Sequence, residues 1–365
     1  MFYHTLKQFS IDRAADRTIV FSLATIVFVG VVSATPLSAQ NQDSIQLVQG
    51  QSPRNVAGSI VSINPLQVTI NARNTTQEYP AHLIQKLVFR NQPPEIERAR
   101  GFIENGRFDD AFEMLQGISD PVDRAELRSE IEFLKALSAA EIAFRGGNKS
   151  AQDAGRAVME FTRNHPQSIH FYAATELLGR LLFAVGKFDL ASAEFAKLPD
   201  SRQPELTMRG LFWQSEALME LDRPDEASDK LQQILNRTEN DDLTQQYQLL
   251  ARVRLAKAQA MQGQPAPAIA AIEKIIQTES ADNGQLFAYA YNSLGSIHLS
   301  QNQLKEAMMA FLHTELLFPD QADPHSEALY QLALIWPQLN HNERANRARS
   351  IVKSRYRNTV WATRL

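Results

Sequence analysis

The sequence of 365 residues contains no cysteine. Disulfide bonds, thiolate nucleophiles and cysteine-ligated metals are therefore excluded. The chain also has no excess of basic charge, because 37 Lys and Arg residues stand against 41 Asp and Glu residues and give a formal net charge of −4. A nucleic-acid-binding surface would need a basic face. We therefore expect no nucleic acid among the partners.

Motifs for catalysis and ligand binding are missing as well. The eight histidines are scattered, and the sequence contains no HExxH, GxSxG or GxGxxG pattern. The stretch GGNKS at 146–150 has a Lys-Ser pair, but Asn148 stands where a phosphate-binding loop has glycine, so we interpret it as an ordinary turn. We predict a non-enzymatic protein with no catalytic, cofactor-binding or metal-binding residues.

Long apolar runs are scarce, and the longest lies near the N-terminus. Basic residues precede the apolar run at 19–32, and small residues up to Ala39 follow it. This order is typical of a secretory signal peptide, which predicts that residues 1–39 are removed after export. The run is shorter than the ~18 residues of a membrane-spanning helix, and an uncleaved membrane anchor is the alternative. In both cases we expect export to the periplasm or cell envelope.

Short strand-like segments occupy residues 44–91. They are rich in Val and Ile and are bounded by Gly, Pro and Asn, which is typical of antiparallel strands. The segments are SIQLVQG, NVAGSIVSI, LQVTIN and HLIQKLVF. We predict a small β-barrel-like domain of about four or five strands, SH3-like in size. The pair Pro93-Pro94 marks the boundary between this domain and the helical remainder of the chain.

From residue 94 to 365 the apolar residues recur at the three- and four-residue spacing of helices, interrupted by short polar turns. An alanine comes after each turn at intervals of 36 to 43 residues. These alanines are Ala111, Ala154, Ala191, Ala227, Ala268, Ala307 and Ala345. Twelve residues before six of them lies a small residue, namely Ala99, Gly179, Ser215, Ala256, Gly295 and Ala333. Ile142 takes that position in the second unit.

This pattern resembles the tetratricopeptide repeat (TPR) family, whose helix pairs carry Leu-Gly, then Ala-x3-Phe, then Pro. The best copies are Leu178-Gly179 with Ala191 and Phe195, and Leu294-Gly295 with Ala307, Phe311 and Pro319. The resemblance implies an exported bacterial TPR protein with a small N-terminal β domain. Residues 94–365 would be a mainly α, right-handed α-solenoid of about six to seven TPR-like helix pairs. Small residues would let two helices approach, and Phe would fill the seam between them.

In this family the first helices of the pairs line a concave groove. The residues expected there are Glu176, Arg180, Arg209, Phe212, Glu216, Val253, Lys257, Tyr289, Asn292 and Tyr330. Their mixture of charges and aromatic rings suits a protein or peptide segment, with Phe212, Tyr289 and Tyr330 as anchors. The competing interpretation is that each of them only packs or solvates the solenoid. We predict a protein–protein interaction scaffold or adaptor of the cell envelope.

Two other functions remain compatible with the sequence. The first is a membrane-associated assembly or secretion accessory, which would use the N-terminal segment or the basic stretch at 344–357 as its contact. The second is a hydrolase whose residues converge only in three dimensions, which would require a buried pair of titratable groups in a cleft. Neither the partner nor an oligomeric state can be inferred from the sequence.

Overall fold

The computed structural model describes residues 42–47, 54–118, 122–280 and 282–365. The expected signal peptide at 1–39 lies outside these residues, so its cleavage and the export of the chain stay predictions. Within the described part, no helix is long and apolar enough to span a membrane. The chain divides into two compact units, Met1–Leu127 and Arg128–Leu365.

The first unit begins with a five-stranded antiparallel sheet in the order β4-β3-β2-β1-β5. Its strands are β1 (Asp43–Leu47), β2 (Arg54–Asn64), β3 (Gln67–Ala72), β4 (Thr75–Pro80) and β5 (Ile84–Val88). The register shifts within β2 between Ile60 and Ser62, and such a bulge increases strand twist. Buried Ile45, Val68, Ile70 and Leu87 form the core of this sheet. The predicted small SH3-like sheet is therefore present.

Strand β4 differs from the sequence-based prediction, which places its residues in a loop between two strands. The segment TTQEYP has almost no apolar residues, and most of it is exposed, so the alternation that marks a half-buried strand is missing. Its pairing with β3 is set by a two-residue turn in which Arg73 and Asn74 both have positive φ, at 53° and 63°. Two positive φ angles characterise the tight turns that match strand twist in hairpins.

The first helix pair belongs to the same compact unit as the sheet. It consists of α1 (Pro94–Glu104) and α2 (Phe108–Gln116). Buried Arg100 of α1 donates from Nη2 to the Leu87 carbonyl of β5 at 2.7 Å. Lys86 of β5 also forms an ion pair with Glu97 of α1. The domain boundary that the sequence pattern indicates ahead of this pair, at Pro93-Pro94, stays a prediction.

The second unit consists of six antiparallel helix pairs and a short final helix. The pairs are α3 (Ala125–Phe144) and α4 (Ala151–Asn164), α5 (Phe171–Ala184) and α6 (Phe188–Phe195), α7 (Pro204–Glu220) and α8 (Pro224–Leu235), α9 (Asp242–Met261) and α10 (Pro265–Thr278), α11 (Gly284–Ser300) and α12 (Leu304–Leu317), and α13 (Ala322–Gln338) and α14 (Asn342–Arg355). Helix α15 (Val360–Thr363) comes last, and the first three residues of α3 fall in the first unit. With α1 and α2 there are seven pairs among the described residues, which confirms the TPR-like α-solenoid.

Small residues allow close approach of the two helices in two of the pairs, as the repeat pattern predicts. Gly295 of α11 lies against the ring of Phe311 on α12, and a Cβ built at Gly295 would stand 2.7 Å from that ring. Gly179 of α5 meets Phe195 of α6 in the same way, at 2.6 Å. Both phenylalanine rings are fully buried. Because the ring of one helix occupies the space of a side chain on the other, only a small residue fits.

Candidate functional site

A cavity of about 200 Å³ lies on the inner face of the second unit. Residues of the first helices of all six pairs line it, together with the segment after α14. Aromatic rings contributed by Phe144, Phe183, Trp213, Tyr289 and Trp361 form much of its wall. Carboxylates also line it, namely Glu216, Glu220, Asp323 and Glu327. The cavity is thus the inner, concave side of the repeat array.

The segment after α14 closes this cavity by reaching back to the first pair of the unit. Asn358 donates from Nδ2 to the Ala143 carbonyl at the end of α3 and to the Lys149 carbonyl in the α3–α4 turn, both at 2.9 Å. Gly146 of the same turn has a φ of +68°, and a Cβ there would lie 2.7 Å from the Arg355 carbonyl. The stretch GGNKS is therefore a turn shaped for this contact.

Trp361 and Arg364 complete the closure. The Trp361 ring packs against the ring of Tyr330 at a centroid distance of 5.2 Å, and it is mostly buried. Arg364 donates from Nη2 to Glu220 Oε2 at 2.7 Å. Its guanidinium carbon also lies 5.5 Å from the centroid of the Phe188 ring on α6. The end of the described chain thereby contacts α6, α7 and α13 at once.

A buried ion pair joins two of the first helices beside the cavity. Arg254 of α9 donates from Nε to Glu216 Oε1 of α7 at 2.6 Å, and its Nη1 donates to Ser293 Oγ of α11 at 3.2 Å. The guanidinium carbon lies 5.0 Å from the Tyr289 ring centroid. Burial opposes the charge on Arg254, but Glu216 outweighs it and raises the arginine pKa. Burial raises the pKa of the Tyr289 hydroxyl, which stays protonated.

A second buried group of polar residues is centred on Glu327 of α13. Asn292 of α11 donates from Nδ2 to Glu327 Oε2 at 3.0 Å and to the Pro324 carbonyl at 2.8 Å. Lys257 Nζ of α9 lies 3.7 Å from Glu327 Oε1. Burial would raise the pKa of the Glu327 carboxyl, but Lys257, Arg254 and the Asn292 amide outweigh burial and lower it. Glu327 is therefore ionised and matched by neighbouring cations.

Two more arginines face the inner side. Arg209 Nη2 of α7 forms an ion pair with Glu176 Oε2 of α5 at 2.8 Å. The guanidinium carbon of Arg180 lies 4.3 Å from the Phe144 ring centroid and 5.8 Å from that of Trp213. Such contacts between a cation and the face of a ring are attractive.

Asp323 differs from the other carboxylates of the cavity. It lies in the first turn of α13, where it is exposed to the cavity, and Ala322 beside it is exposed too. The structure gives its carboxylate no hydrogen bond and no ion pair with a described residue. Loss of hydration among the surrounding protein raises the pKa of Asp323, and Glu216 adds to this while Arg180 opposes it. The cavity therefore contains one accessible carboxylate without a counter-ion in contact.

Of the ten predicted groove residues, Arg180, Glu216 and Tyr289 line the cavity, and most of the ten are covered by other side chains. Phe212 and Tyr289, two of the expected anchors, are only 3% and 4% exposed and pack edge to face at 5.5 Å. Val253 and Asn292 are fully buried. The third anchor, Tyr330, is half-buried beneath Trp361 of the chain itself. The remaining members form ion pairs or cation–π contacts, and they are Glu176, Arg180, Arg209, Glu216 and Lys257.

Sequence reasoning missed several residues of the cavity. Glu327 stands six residues before Ala333, the small residue of its repeat. Arg209 and Tyr289 have the same spacing to the small residues of their repeats, so this repeat position could have indicated Glu327. Arg254 does not occupy this repeat position, since it follows the buried Val253 directly. Trp361 belongs to no repeat, and the pattern contains no indication of it. Within the described chain, no cluster of histidine and acidic side chains could hold a metal ion.

No protein-family model and no curated protein matches this sequence. Among solved structures, a tetratricopeptide repeat protein from Parabacteroides merdae ATCC 43184 is similar at 16% identity, with a TM-score of 0.48 over 72% of this chain and 92% of that one. NprR in complex with its cognate peptide NprX is similar at 13% identity, with a TM-score of 0.45 over 70% and 76% of the two chains. The TPR domain of P58(IPK) is similar at 13% identity, with a TM-score of 0.27 over 74% and 76%. The chain's own phased helix pairs define its class, a TPR-like α-solenoid protein.

Proposed function

We propose that this chain is a non-enzymatic interaction scaffold or adaptor of the cell envelope that binds a peptide or protein segment at its concave side. The supporting observation is the cavity to which the first helices of all six pairs of the second unit contribute. Stacked repeats create concave surfaces that suit extended partners. We place the entry of such a segment at Ala322 and Asp323, which are exposed.

The chemistry of the cavity favours binding over hydrolysis. Buried titratable groups are present, as the hydrolase alternative requires, but their partners are arginine and lysine. The two aliphatic hydroxyl groups of the cavity lining both donate to backbone carbonyls, Ser326 to that of Asp323 and Thr359 to that of Tyr356. Among the described lining residues neither the serine nor the threonine hydroxyl therefore donates to a base, as a nucleophile would.

Site-specific photo-crosslinking tests the proposal in the full-length chain. We would place p-benzoylphenylalanine at Ala322 in the cavity, and as a matched control at Leu316, which is 67% exposed on the second helix α12. Irradiation in extract of the source cells should yield a discrete crosslinked protein or peptide from Ala322 and not from Leu316. Crosslinking from Leu316 alone, or none from Ala322, would refute binding at the concave side.

A second candidate function, a membrane-associated assembly or secretion accessory, is favoured by one surface. Helix α14 and the residues after it carry exposed cations that form no ion pair with an acidic side chain of any described residue. They are Arg344, Arg347, Lys353, Arg355 and Arg357. Anionic lipid head groups attract such clusters. Flotation with vesicles containing phosphatidylserine should recover the wild type but not an Arg344→Gln/Arg347→Gln/Lys353→Gln variant, and equal recovery would remove this alternative.

A further inference from the structure

The residues after α14 contact three successive helix pairs of the second unit in order. Asn358 donates to carbonyls at the end of α3 and in the turn after it. Val360 lies beside the turn between α5 and α6, since a Cβ built at Gly186 would stand 4.0 Å from Val360 Cγ2. Arg364 donates to Glu220, the last residue of α7. A segment bound along the concave surface of a repeat array makes contacts of this kind, one repeat after another.

Two side chains of the closing segment, residues 358–365, lie where the proposed function requires a partner. Trp361 lines the cavity, is mostly buried, and packs on the ring of Tyr330, one of the expected anchors. Arg364 places its guanidinium between an aromatic ring of α6 and the Glu220 carboxylate. Aromatic and arginine side chains are the residues that most often dominate binding between proteins. The chain therefore fills its own concave side with groups typical of a ligand.

The space left beside the closing segment is too small for a partner segment. The cavity has a volume of about 200 Å³, whereas pockets that hold even a drug-sized molecule have about 300–1,000 Å³. Asn358, Thr359, Val360 and Trp361 form part of its wall. Binding of a peptide or protein segment at the concave side therefore requires that these residues move away.

The contacts that hold the closing segment in place are few. Helix α15 is a single turn of four residues, and so short a helix is not stable by itself. The Arg364 side chain is 33% exposed in its ion pair with Glu220, and pairs exposed to water contribute little to stability. Val360 and Trp361 supply the buried apolar surface. A competing segment with similar side chains replaces these contacts at a small net cost.

From this arrangement we infer that the closing segment is an internal ligand of the concave side. A partner segment displaces it by offering the same chemistry, an aromatic residue followed three positions later by a basic one. The inference rests on the proposed binding function and specifies its partner and its regulation. Because the closing segment is tethered, its effective concentration is on the order of millimolar. Segments that bind the concave side only weakly are therefore excluded.

Fluorescence anisotropy with the full-length protein tests the inference. The probe is a fluorescein-labelled peptide amide with the sequence NTVWATRL of residues 358–365, and the control peptide carries Trp361→Ala and Arg364→Gln. The opened protein variant carries the same two substitutions. The matched variant is Arg357→Gln/Thr363→Ala, which changes two exposed side chains outside the cavity lining. Because its internal competitor is weakened, the opened variant should bind the probe about tenfold or more tightly than the wild type and the matched variant do.

Crosslinking then locates the bound probe. With p-benzoylphenylalanine at Ala322, the opened variant should crosslink to the probe, and with the same group at Leu316 it should not. If the opened variant fails to fold, as judged by circular dichroism, Arg364→Gln alone decides. This substitution removes only a partly exposed ion pair and should raise the affinity for the probe by about two- to fivefold.

Four results would overturn the inference. They are equal or absent binding of the probe by the wild type and the folded opened variant, equal binding of the probe and the control peptide, crosslinking of the probe from Leu316 alone, and unchanged affinity of the Arg364→Gln variant. If a cellular partner nevertheless crosslinks from Ala322 in the wild-type background, only the inference fails and the proposed function stands.

Discussion

The contact between Gly295 and Phe311 makes the sharpest prediction for the fold. A methyl group at Gly295 would meet three atoms of the Phe311 ring at 2.7 to 2.9 Å, and that ring is fully buried. Overpacking of this kind costs about 1–3 kcal/mol. Replacing glycine by alanine in a helix otherwise gains up to about 1 kcal/mol. Because the ring cannot move into solvent, we expect Gly295→Ala to destabilise the protein by about 1–2 kcal/mol.

Gly155 provides the matched control in the same unit. It lies in helix α4, and a Cβ added there would be 3.8 Å from Leu181 Cβ, which is an ordinary van der Waals contact. Because alanine favours the helix more than glycine does, Gly155→Ala should stabilise the protein. Urea and thermal unfolding followed by circular dichroism give both values, and 1–2 kcal/mol corresponds to a melting temperature lower by roughly 2–8 °C. Combining Gly295→Ala with Phe311→Leu should recover part of the loss. A Gly295→Ala protein as stable as the wild type would refute the close-packing argument.

Three further predictions concern the second unit. Burial lowers the pKa of His325 to about 4, so the unfolded chain binds a proton that the folded chain does not, and stability should fall by up to about 3 kcal/mol as pH drops from 6.5 to 4. His325→Gln should make the free energy of unfolding less dependent on pH between 6.5 and 4. An unchanged pH dependence in this variant would contradict the role of His325. Arg254→Met should cost about 3–5 kcal/mol in urea unfolding, and adding Glu216→Leu should recover most of it. Trp361→Ala should release the closing segment and speed tryptic cleavage after Arg357; an unchanged rate would argue against closure.

The helical part could be predicted because the same spacing of small and large residues recurs in successive helix pairs. Ala307 and Ala345 are each fully buried at the positions that the phase assigns to them, as are their partners in the first helices. A single copy would be ambiguous, but close approach of two helices restricts the same positions in every pair. These positions are restricted by contacts between helices that are adjacent in the sequence, and for this reason the seven pairs could be predicted.

Strand β4 shows where periodicity fails. Its residues Thr75–Pro80 lie at the edge of the sheet and pair only with β3. An exposed edge strand needs no apolar face, so its sequence resembles that of a loop. The strand is fixed by the turn at Arg73 and Asn74, which the composition of the segment does not reveal.

The predicted groove was incomplete because a repeat specifies contacts between adjacent pairs and says nothing about distant ones. Three of the predicted residues, Arg180, Glu216 and Tyr289, line the cavity. The repeat pattern could not indicate that Asn358 bonds to the carbonyl of Ala143, 215 positions earlier. In an open solenoid each pair depends only on its neighbours, and the ends are free to fray. Here the last pair and the segment after it contact the first pair of the unit, so loss of either end removes hydrogen bonds from the other. We conclude that closure restricts access to the concave side and couples the stability of both ends.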